Sequence, residues 1–276
     1  MLSAKLSKLR DLLRSYGSCL VAYSGGVDSV LLAWVAHEEL RERSLAAIAD
    51  SPSLPRRELE DALAVAARFK FPVRVLQTRE FDNPDYLANP NNRCYFCKQE
   101  LFTELVPLAQ QMGFAVIAYG ENASDVGDYR PGAQAAAQFQ VRAPLKEAGL
   151  TKAEIRELSA RFGLPTADKP QLACLSSRIP FGEPVTPEKL RMVEQAENVL
   201  RDLGFYDVRV RHHELGSKMQ VEGYKLPTAG VKPPTFNLQP PTASHLARIE
   251  IGPAELPKLL EGDLCFRVAE ALKLIG

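Results

Sequence analysis

The sequence lacks any excess of charge of one sign, because its 34 lysines and arginines balance its 34 aspartates and glutamates. A protein that holds a polyanion over a broad surface usually carries a basic excess, so this balance argues against a nucleic-acid partner. The sequence also lacks an apolar run long enough to cross a bilayer, so no membrane partner is expected.

The sequence has no signal-peptide pattern at its start. Leucines in residues 1–16 recur at helical spacing among charged residues, which predicts an amphipathic helix. Since neither a signal-peptide pattern nor a membrane-spanning run is present, a cytoplasmic protein is predicted. Cysteines are few, and in a reducing compartment a disulfide framework is not expected. The five cysteines are Cys19, Cys94, Cys97, Cys174 and Cys265. Those that cluster are expected to bind metal or to react, whereas Cys19 and Cys265 are expected to be buried as small apolar side chains.

The first half of the chain alternates strand-like and helix-like segments. This alternation predicts βαβ units and a parallel sheet covered by helices on both faces. Ligands of such sheets bind beyond the carboxyl ends of the strands. Predicted strands span 19–23, 45–49, 72–76 and 114–119, and predicted helices span 28–42, 56–69 and 94–112.

The second half contains a change of composition. A loop rich in proline, cysteine and serine over residues 163–187 indicates a boundary between domains spanning 1–183 and 184–276. Residues 216–244 contain five prolines and are predicted to be a long surface insertion. The remaining predictions are helices over 151–162, 187–203 and 253–260, strands over 206–210 and 247–251, and a strand or helix over 265–274.

The strongest motif, SGGVDS, begins at Ser24, follows the first predicted strand and opens the first long helix. Gly25 and Gly26 permit backbone angles closed to other residues, and the free N–H groups of a helix start attract anions. Ser24 and Ser29 can add hydroxyl donors, while Asp28 suits a phosphate site only with a cation such as Mg²⁺ between the charges. An ordinary glycine turn with an aspartate cap is the less favoured interpretation.

Three of the cysteines form a second candidate site. Cys94 and Cys97 make a CxxC at the start of a predicted helix, where they share one face and where the helix N-terminus favours thiolates. Cys174 lies in the loop at the domain boundary, which the sheet topology can bring to the same edge. Three thiols without an evident fourth ligand leave a zinc site, an iron–sulfur cluster, or a persulfide or disulfide pair as alternatives.

SGGVDS resembles the PP-loop of the ATP pyrophosphatases, which cleave ATP between the α and β phosphates and leave AMP on a substrate oxygen. It differs from the Walker A loop, since no GKS or GKT follows. Further segments carry a narrower resemblance over nearly the whole chain: 121–125, 127–132, 144–146, 168–170, 173–178, 180–182, 208–213 and 246–250. Together they resemble the LarE family of sulfur transferases, which help to build a nickel-pincer nucleotide. The insertion at 216–244 departs from that pattern.

The resemblance implies a fold and a reaction. The fold is α/β, a Rossmann-like parallel sheet of the adenine nucleotide alpha hydrolase type in a PP-loop domain over 1–183, with a smaller C-terminal α/β domain over 184–276. The reaction uses ATP and Mg²⁺ to adenylate a carboxylate of pyridinium-3,5-biscarboxylic acid mononucleotide, and sulfur then displaces AMP to give a thiocarboxylate. A small-molecule nucleotide substrate and a homo-oligomer are implied as partners.

The resemblance also separates two kinds of sulfur source. One kind gives up the sulfur of a single cysteine at the position of Cys174. The other has three cysteines and is thought to use a [4Fe–4S] cluster with an extra sulfide on its open iron. This chain has the three-cysteine pattern, so Cys94, Cys97 and Cys174 are predicted as catalytic residues and cluster ligands.

Further binding residues are predicted around the two sites. Ser51, after the second strand, and Gly120, after the fourth, are expected to contact the nucleotide. Arg178, Arg209 and Arg211 are expected to bind substrate phosphate or carboxyl groups, since guanidinium forks suit such groups and residues 209 and 211 share a strand face. A solvated strand face is the alternative. Glu197 and Glu250 could orient substrate or metal, with surface ion pairs at least as favoured.

Three other function classes share some of these features. A tRNA thiolase shares the PP-loop, but it would need a basic surface or an RNA-binding module. An amide-forming synthetase shares only the loop and needs no cysteine triad. A non-catalytic nucleotide-binding protein with a structural zinc predicts ATP binding without release of pyrophosphate.

Overall fold

The computed structural model describes residues 2–125, 131–170, 173–215 and 245–275. Contacts divide the chain into two compact units, the first comprising Met1–Ser177 with Phe181–Leu190 and the second Arg178–Pro180 with Arg191–Gly276. Residues 127–130 of one family motif and the predicted insertion at 216–244 lie outside the described residues.

The described part of the first unit is built on a four-stranded sheet. Its strands are β1 (Cys19–Tyr23), β2 (Ser44–Asp50), β3 (Val73–Gln77) and β4 (Val116–Tyr119). They lie in the order β3-β2-β1-β4, and every pairing is parallel. All four carboxyl ends therefore meet at one edge, so the segments that follow the strands can share a site there.

Helices cover both faces of this sheet. The helices of the first unit are α1 (Leu2–Tyr16), α2 (Val27–Leu40), α3 (Arg56–Phe69), α4 (Pro84–Leu87), α5 (Arg93–Met112), α6 (Pro131–Gln138), α7 (Pro144–Glu147) and α8 (Lys152–Arg161). Strand β1 is buried along its whole length, and its side chains alternate between two cores. Cys19, Val21 and Tyr23 join a core with α1, α2, α3 and α8, whereas Leu20 and Ala22 join one with α5 and α6.

The second unit has its own core. Helix α9 (Pro187–Asp202) begins in the first unit and continues into the second, where β5 (Val208–Glu214) pairs antiparallel with β6 (His245–Ile251). The short α10 (Leu256–Leu259) and α11 (Leu264–Lys273) follow. Their core gathers apolar side chains of α9, of the segment between α9 and β5, of β5 and of α11: Ala196, Leu200, Phe205, Val208, Val210 and Val268.

The structure confirms the α/β fold with its parallel sheet and places most predicted elements within a few residues. One difference is the start of β5, predicted at residue 206. The N–H groups of Tyr206 and Asp207 donate to the carboxylate of Glu255 rather than to a neighbouring strand, and the chain bends at these two residues before β5 begins. The prediction that Cys265 is buried was wrong, because it lies on the exposed side of α11, which buries Val268 instead.

No helix among the described residues is both long enough and apolar enough to cross a membrane.

Candidate active site

The SGGVDS motif forms a closed loop between β1 and α2. The hydroxyl of Ser29 donates to the carbonyl of Gly26 at 3.0 Å and accepts from the N–H of Ser24 at 3.1 Å. Gly25 has a φ of +71°, and a Cβ there would lie 2.8 Å from the Cβ of Ala62. Glycine is therefore required at position 25 both for its backbone angle and for its lack of a side chain.

Asp28, in the first turn of α2, is held from two sides. Its Oδ1 accepts a hydrogen bond of 3.2 Å from the side-chain amide of Asn122, and its Oδ2 pairs with the ammonium group of Lys152. The amide orients the carboxylate, and the ammonium group balances its charge. Aspartate and phosphate oxygens are ligands that Mg²⁺ prefers, so Asp28 fits the predicted magnesium site.

Sequence reasoning missed Lys152. It is the first residue of α8, whose N-cap Thr151 forms a capping box with Glu154. A positive charge in the first turn of a helix opposes the helix dipole, so it signals an anionic partner nearby. That signal was present in the sequence, although it did not identify Asp28 as the partner.

The end of β4 approaches the phosphate loop closely. A Cβ on Gly120 would lie 3.0 Å from the backbone nitrogen of Ser29 and 3.1 Å from the Cβ of Asp28. Only glycine fits there without displacing the loop. The next residue, Glu121, is buried, accepts from Lys146 at 2.9 Å and also pairs with the hydroxyl of Tyr119.

The segment after β2 connects the nucleotide end of the sheet to the cysteine loop. The hydroxyls of Ser51 and Ser53 are 2.9 Å apart, and Ser53 donates to the buried Glu80 at 3.2 Å. The carbonyl of Ser53 accepts from the N–H of Leu175 at 2.9 Å. The residue after Cys174 is thereby anchored to the loop that begins at Ser51.

A cavity of about 530 Å³ joins the two predicted sites. Its wall includes Ser24, Asp28, Ser29, Ser51, Gly120, Cys94, Cys97 and Cys174. Segments that are far apart in sequence thus contribute phosphate-loop residues and thiols to one space. Thr78, at the end of β3, lines the same cavity with a buried hydroxyl oxygen that has no hydrogen-bond partner within the described chain.

The thiols are near enough to influence one another. Burial, and then the neighbouring thiol of Cys174, raise the pKa of Cys97 to about 12. The same two causes raise the pKa of Cys94, against which the charge of Arg93 acts. Burial of Cys97 therefore opposes the preference for the thiolate that is expected at a helix N-terminus.

The donor set fits an iron–sulfur group, since cysteine thiolates are the usual ligands of such clusters and the three thiols line one cavity. Cys94, Cys97 and Cys174 are the residues that would hold it. Within the described ranges, no three histidine, cysteine, aspartate or glutamate side chains already form a ligand group for a metal ion.

The predicted substrate-binding arginines lie in the second unit, each with an acidic neighbour or register partner. Arg178 is 1% exposed and donates to Glu197 at 2.8 Å. Arg211 donates to Glu250 at 2.6 Å, and this bond, ahead of the one from Arg248, lowers the pKa of Glu250 to about 2. Arg209 is opposite Glu250 in the strand register. Both glutamates form ion pairs, and that of Glu250 is partly exposed, close to the alternative interpretation. The pair of Glu197 is buried, which differs from the surface ion pair of that alternative.

Comparison with known proteins identifies relatives that match most of the chain. No protein-family model matches. An uncharacterised protein of Synechocystis sp. is 49% identical over 221 residues, 80% of this chain and 82% of the relative. An uncharacterised protein of Methanocaldococcus jannaschii is 26% identical over 221 residues, 79% and 84% of the two chains.

A third relative has a named activity. Pyridinium-3,5-bisthiocarboxylic acid mononucleotide synthase of Lactiplantibacillus plantarum is 32% identical over 214 residues, 77% of this chain and 77% of the relative. At that identity and coverage, and with the motif at 24–29 shaping a loop at the sheet edge, the chain belongs to the LarE family.

Proposed function

We propose that the protein is an ATP-dependent sulfur transferase of nickel-pincer nucleotide biosynthesis. It adenylates a carboxylate of pyridinium-3,5-biscarboxylic acid mononucleotide and replaces AMP with sulfur, leaving a thiocarboxylate. The observation that carries the proposal is the single cavity lined by both the phosphate loop and the three cysteines. A site for nucleotide activation alone would not need thiols in the same wall.

The first step transfers AMP to the substrate. A carboxylate oxygen attacks the α-phosphorus, the bond to the bridging oxygen breaks, and pyrophosphate leaves with its electron pair. Backbone N–H groups of the loop at 24–29 and the start of α2 hold the phosphates. Asp28 would hold Mg²⁺, which neutralises phosphate charge when bound, and Lys152 lies beside that carboxylate with a second positive charge.

The second step places sulfur on carbon. A sulfur nucleophile attacks the carbonyl carbon of the acyl-adenylate, the bond from carbon to the AMP oxygen breaks, and AMP leaves. Cys94, Cys97 and Cys174 hold the sulfur, and an iron–sulfur cluster would supply a sulfide for repeated transfer. The bond between Leu175 and Ser53 fixes the Cys174 loop beside the nucleotide end of the cavity, which favours direct transfer.

The test supplies the oxygen-free protein with ATP, Mg²⁺ and pyridinium-3,5-biscarboxylic acid mononucleotide. Pyrophosphate is measured by a coupled assay and thiocarboxylate by mass spectrometry. Asp28→Asn is expected to lower pyrophosphate release about a hundredfold, because it removes the charge that holds Mg²⁺. In Cys174→Ala, the first pyrophosphate is expected to form at the parental rate, and turnover then stops because no sulfur displaces AMP, so no thiocarboxylate forms. The exposed Cys265→Ala serves as the matched control.

Iron and sulfide analysis with an absorption spectrum tests the sulfur source separately. A brown protein with about four irons per chain, lost in each of the three cysteine variants, supports the cluster. An iron-free protein that loses sulfur from Cys174 during a single turnover would favour sacrifice of that cysteine. Thiocarboxylate formed by Cys174→Ala at the parental rate would contradict the proposed function.

A further inference from the structure

Arg93 is a buried cation at the junction of the two cysteine-bearing segments. It is the first residue of α5, directly before Cys94, and it is only 3% exposed. Removing a guanidinium group from water is costly unless hydrogen bonds and an opposite charge replace its hydration. Its surroundings should therefore contain a negative charge.

The groups of the described residues that contact Arg93 are all neutral. Its Nη1 donates to the side-chain carbonyl of Asn89 and, at 2.9 Å, to the main-chain carbonyl of Ser176. Its guanidinium carbon lies 5.9 Å from the centre of the Phe181 ring. Arg178, another buried arginine of this chain, has the carboxylate of Glu197 at 2.8 Å. Among the described residues, Arg93 has no such carboxylate.

The same contacts connect the segments that carry the thiols. Ser176 is two residues after Cys174, and its hydroxyl lies 2.7 Å from the hydroxyl of Tyr86. Asn89 donates to the carbonyl of Glu183 at 3.0 Å, and its own carbonyl accepts from the N–H of Gly182. Arg93 thereby fixes the start of the CxxC helix against the loop that follows Cys174.

We propose that Arg93 is the buried counter-charge of the anionic sulfur centre formed by Cys94, Cys97 and Cys174. The proposal rests on the proposed function only in taking these three thiols as one sulfur site. Three thiolates around one divalent ion leave one net negative charge in a partly buried space. Arg93, adjacent in sequence to the first of them, supplies the positive charge that this centre lacks, and the centre supplies the anion that Arg93 lacks.

The test uses Cd²⁺ as a probe of the reduced, oxygen-free full-length protein. Thiolate binding gives an ultraviolet charge-transfer band, which is titrated in the parental protein, Arg93→Lys, Arg93→Gln and Cys174→Ala. The band of the parental protein is expected to fall by about one third in Cys174→Ala, because one of three thiolates is lost. Binding is expected to weaken about tenfold in Arg93→Gln and to stay within about twofold of parental in Arg93→Lys, which keeps the charge.

A structural control separates charge from folding. Asn89→Gly removes the amide that accepts a hydrogen bond from Arg93, and glycine still permits the φ of +54° at that position. The charge of Arg93 therefore remains while one of its hydrogen bonds is lost. Thermal unfolding without metal is measured for every variant. Asn89→Gly is expected to lower the midpoint and to bind Cd²⁺ as the parental protein does. If the role of Arg93 were purely structural, the affinity for Cd²⁺ would instead fall in every variant whose midpoint of thermal unfolding falls. That result would overturn the proposal.

Other outcomes also decide the matter. If Arg93→Gln does not fold, the test depends on Arg93→Lys alone, which keeps the charge but loses hydrogen bonds of the guanidinium group. Cd²⁺ binding that weakens in Arg93→Lys as those lost hydrogen bonds predict would overturn the counter-charge. Absence of the band in the parental protein would overturn the shared sulfur centre. Pyrophosphate release is measured on the same samples, so failure of ATP chemistry with normal Cd²⁺ binding contradicts the proposed function and leaves the role of Arg93 supported.

Discussion

Gly25 is a residue at which backbone angle and space both exclude a side chain. Gly25→Ala is expected to destabilise the protein by about 3 kcal/mol and to abolish ATP binding, because a left-handed backbone angle and a contact of 2.8 Å with Ala62 both oppose the added methyl group. Chemical unfolding and ATP-binding calorimetry measure the two effects.

Gly17 provides a matched control for Gly25. It has a similar φ of +73°, but an added Cβ would meet nothing within 4 Å. Gly17→Ala is therefore expected to cost only about 1 kcal/mol and to keep ATP binding. Adding Ala62→Gly to Gly25→Ala removes the clash and should recover part of the stability; equal losses in the two single variants would refute the steric explanation.

Single residues also show where prediction from sequence ended. The loop residues were predicted because glycines, hydroxyls and an acid in one short motif indicate phosphate chemistry. Lys152 was missed, since its partner Asp28 is 124 positions away and only the fold brings them together. Arg93 was passed over for the same reason, because nothing local to it indicates burial.

Helix α8 depends on a charged start that is sensitive to acid. A hydrogen bond from Lys5, followed by the N–H of Thr151, lowers the pKa of Glu154 to about 2. Because the folded-state pKa lies below the ordinary value, the ionised carboxylate stabilises the fold above about pH 4.5. That stability is lost as the pH falls toward 2.

Glu154→Gln tests this contribution. The variant is expected to be less stable by about 1 kcal/mol at pH 7, because the amide can retain part of the capping box but not the ion pair with Lys5. The difference from the parental protein should vanish near pH 2. Urea unfolding midpoints at several pH values provide the measurement, and a difference that is independent of pH would show that the carboxylate charge contributes nothing. Glu157→Gln, which removes a carboxylate that pairs with Arg161 of the same helix, is the control.

At the scale of elements, the alternation of strand-like and helix-like segments was sufficient to predict the parallel sheet. Strand β1 and helix α3 have the predicted bounds, since a strand buried on both faces and a proline-led amphipathic helix are both clear in sequence. The chemistry at the start of α5 was predicted less well. Position in a helix suggested a low thiol pKa, but burial, which depends on what packs over the helix, raised it instead.

At the scale of the whole molecule, the sequence predicted which residues share the sheet edge but not the partners of the arginines. The predicted strand–helix alternation and the carboxyl-end rule placed residues near 24, 51, 120 and 174 at one edge, and these residues line one cavity. The buried pair of Arg178 and Glu197 depends on packing within the second unit, which no motif encodes.

The homo-oligomer implied by the family resemblance is a prediction for the whole chain. Light scattering coupled to size exclusion is expected to give a mass at least twice that of the 30.5 kDa chain. A single-chain mass at micromolar protein, with ATP chemistry intact, would contradict it.

The two cysteines outside the cavity calibrate any chemical labelling of the sulfur site. Cys19 lies within β1, and burial raises its pKa to about 12, so it is not expected to react with alkylating reagents in the folded protein. Cys265 is exposed on α11, so reagents can reach it. Cys19 thus gives the level of labelling expected for a protected thiol, and Cys265 gives the level expected for an accessible one. The extent of labelling of Cys94, Cys97 and Cys174 can be expressed as a fraction of the range between these two levels.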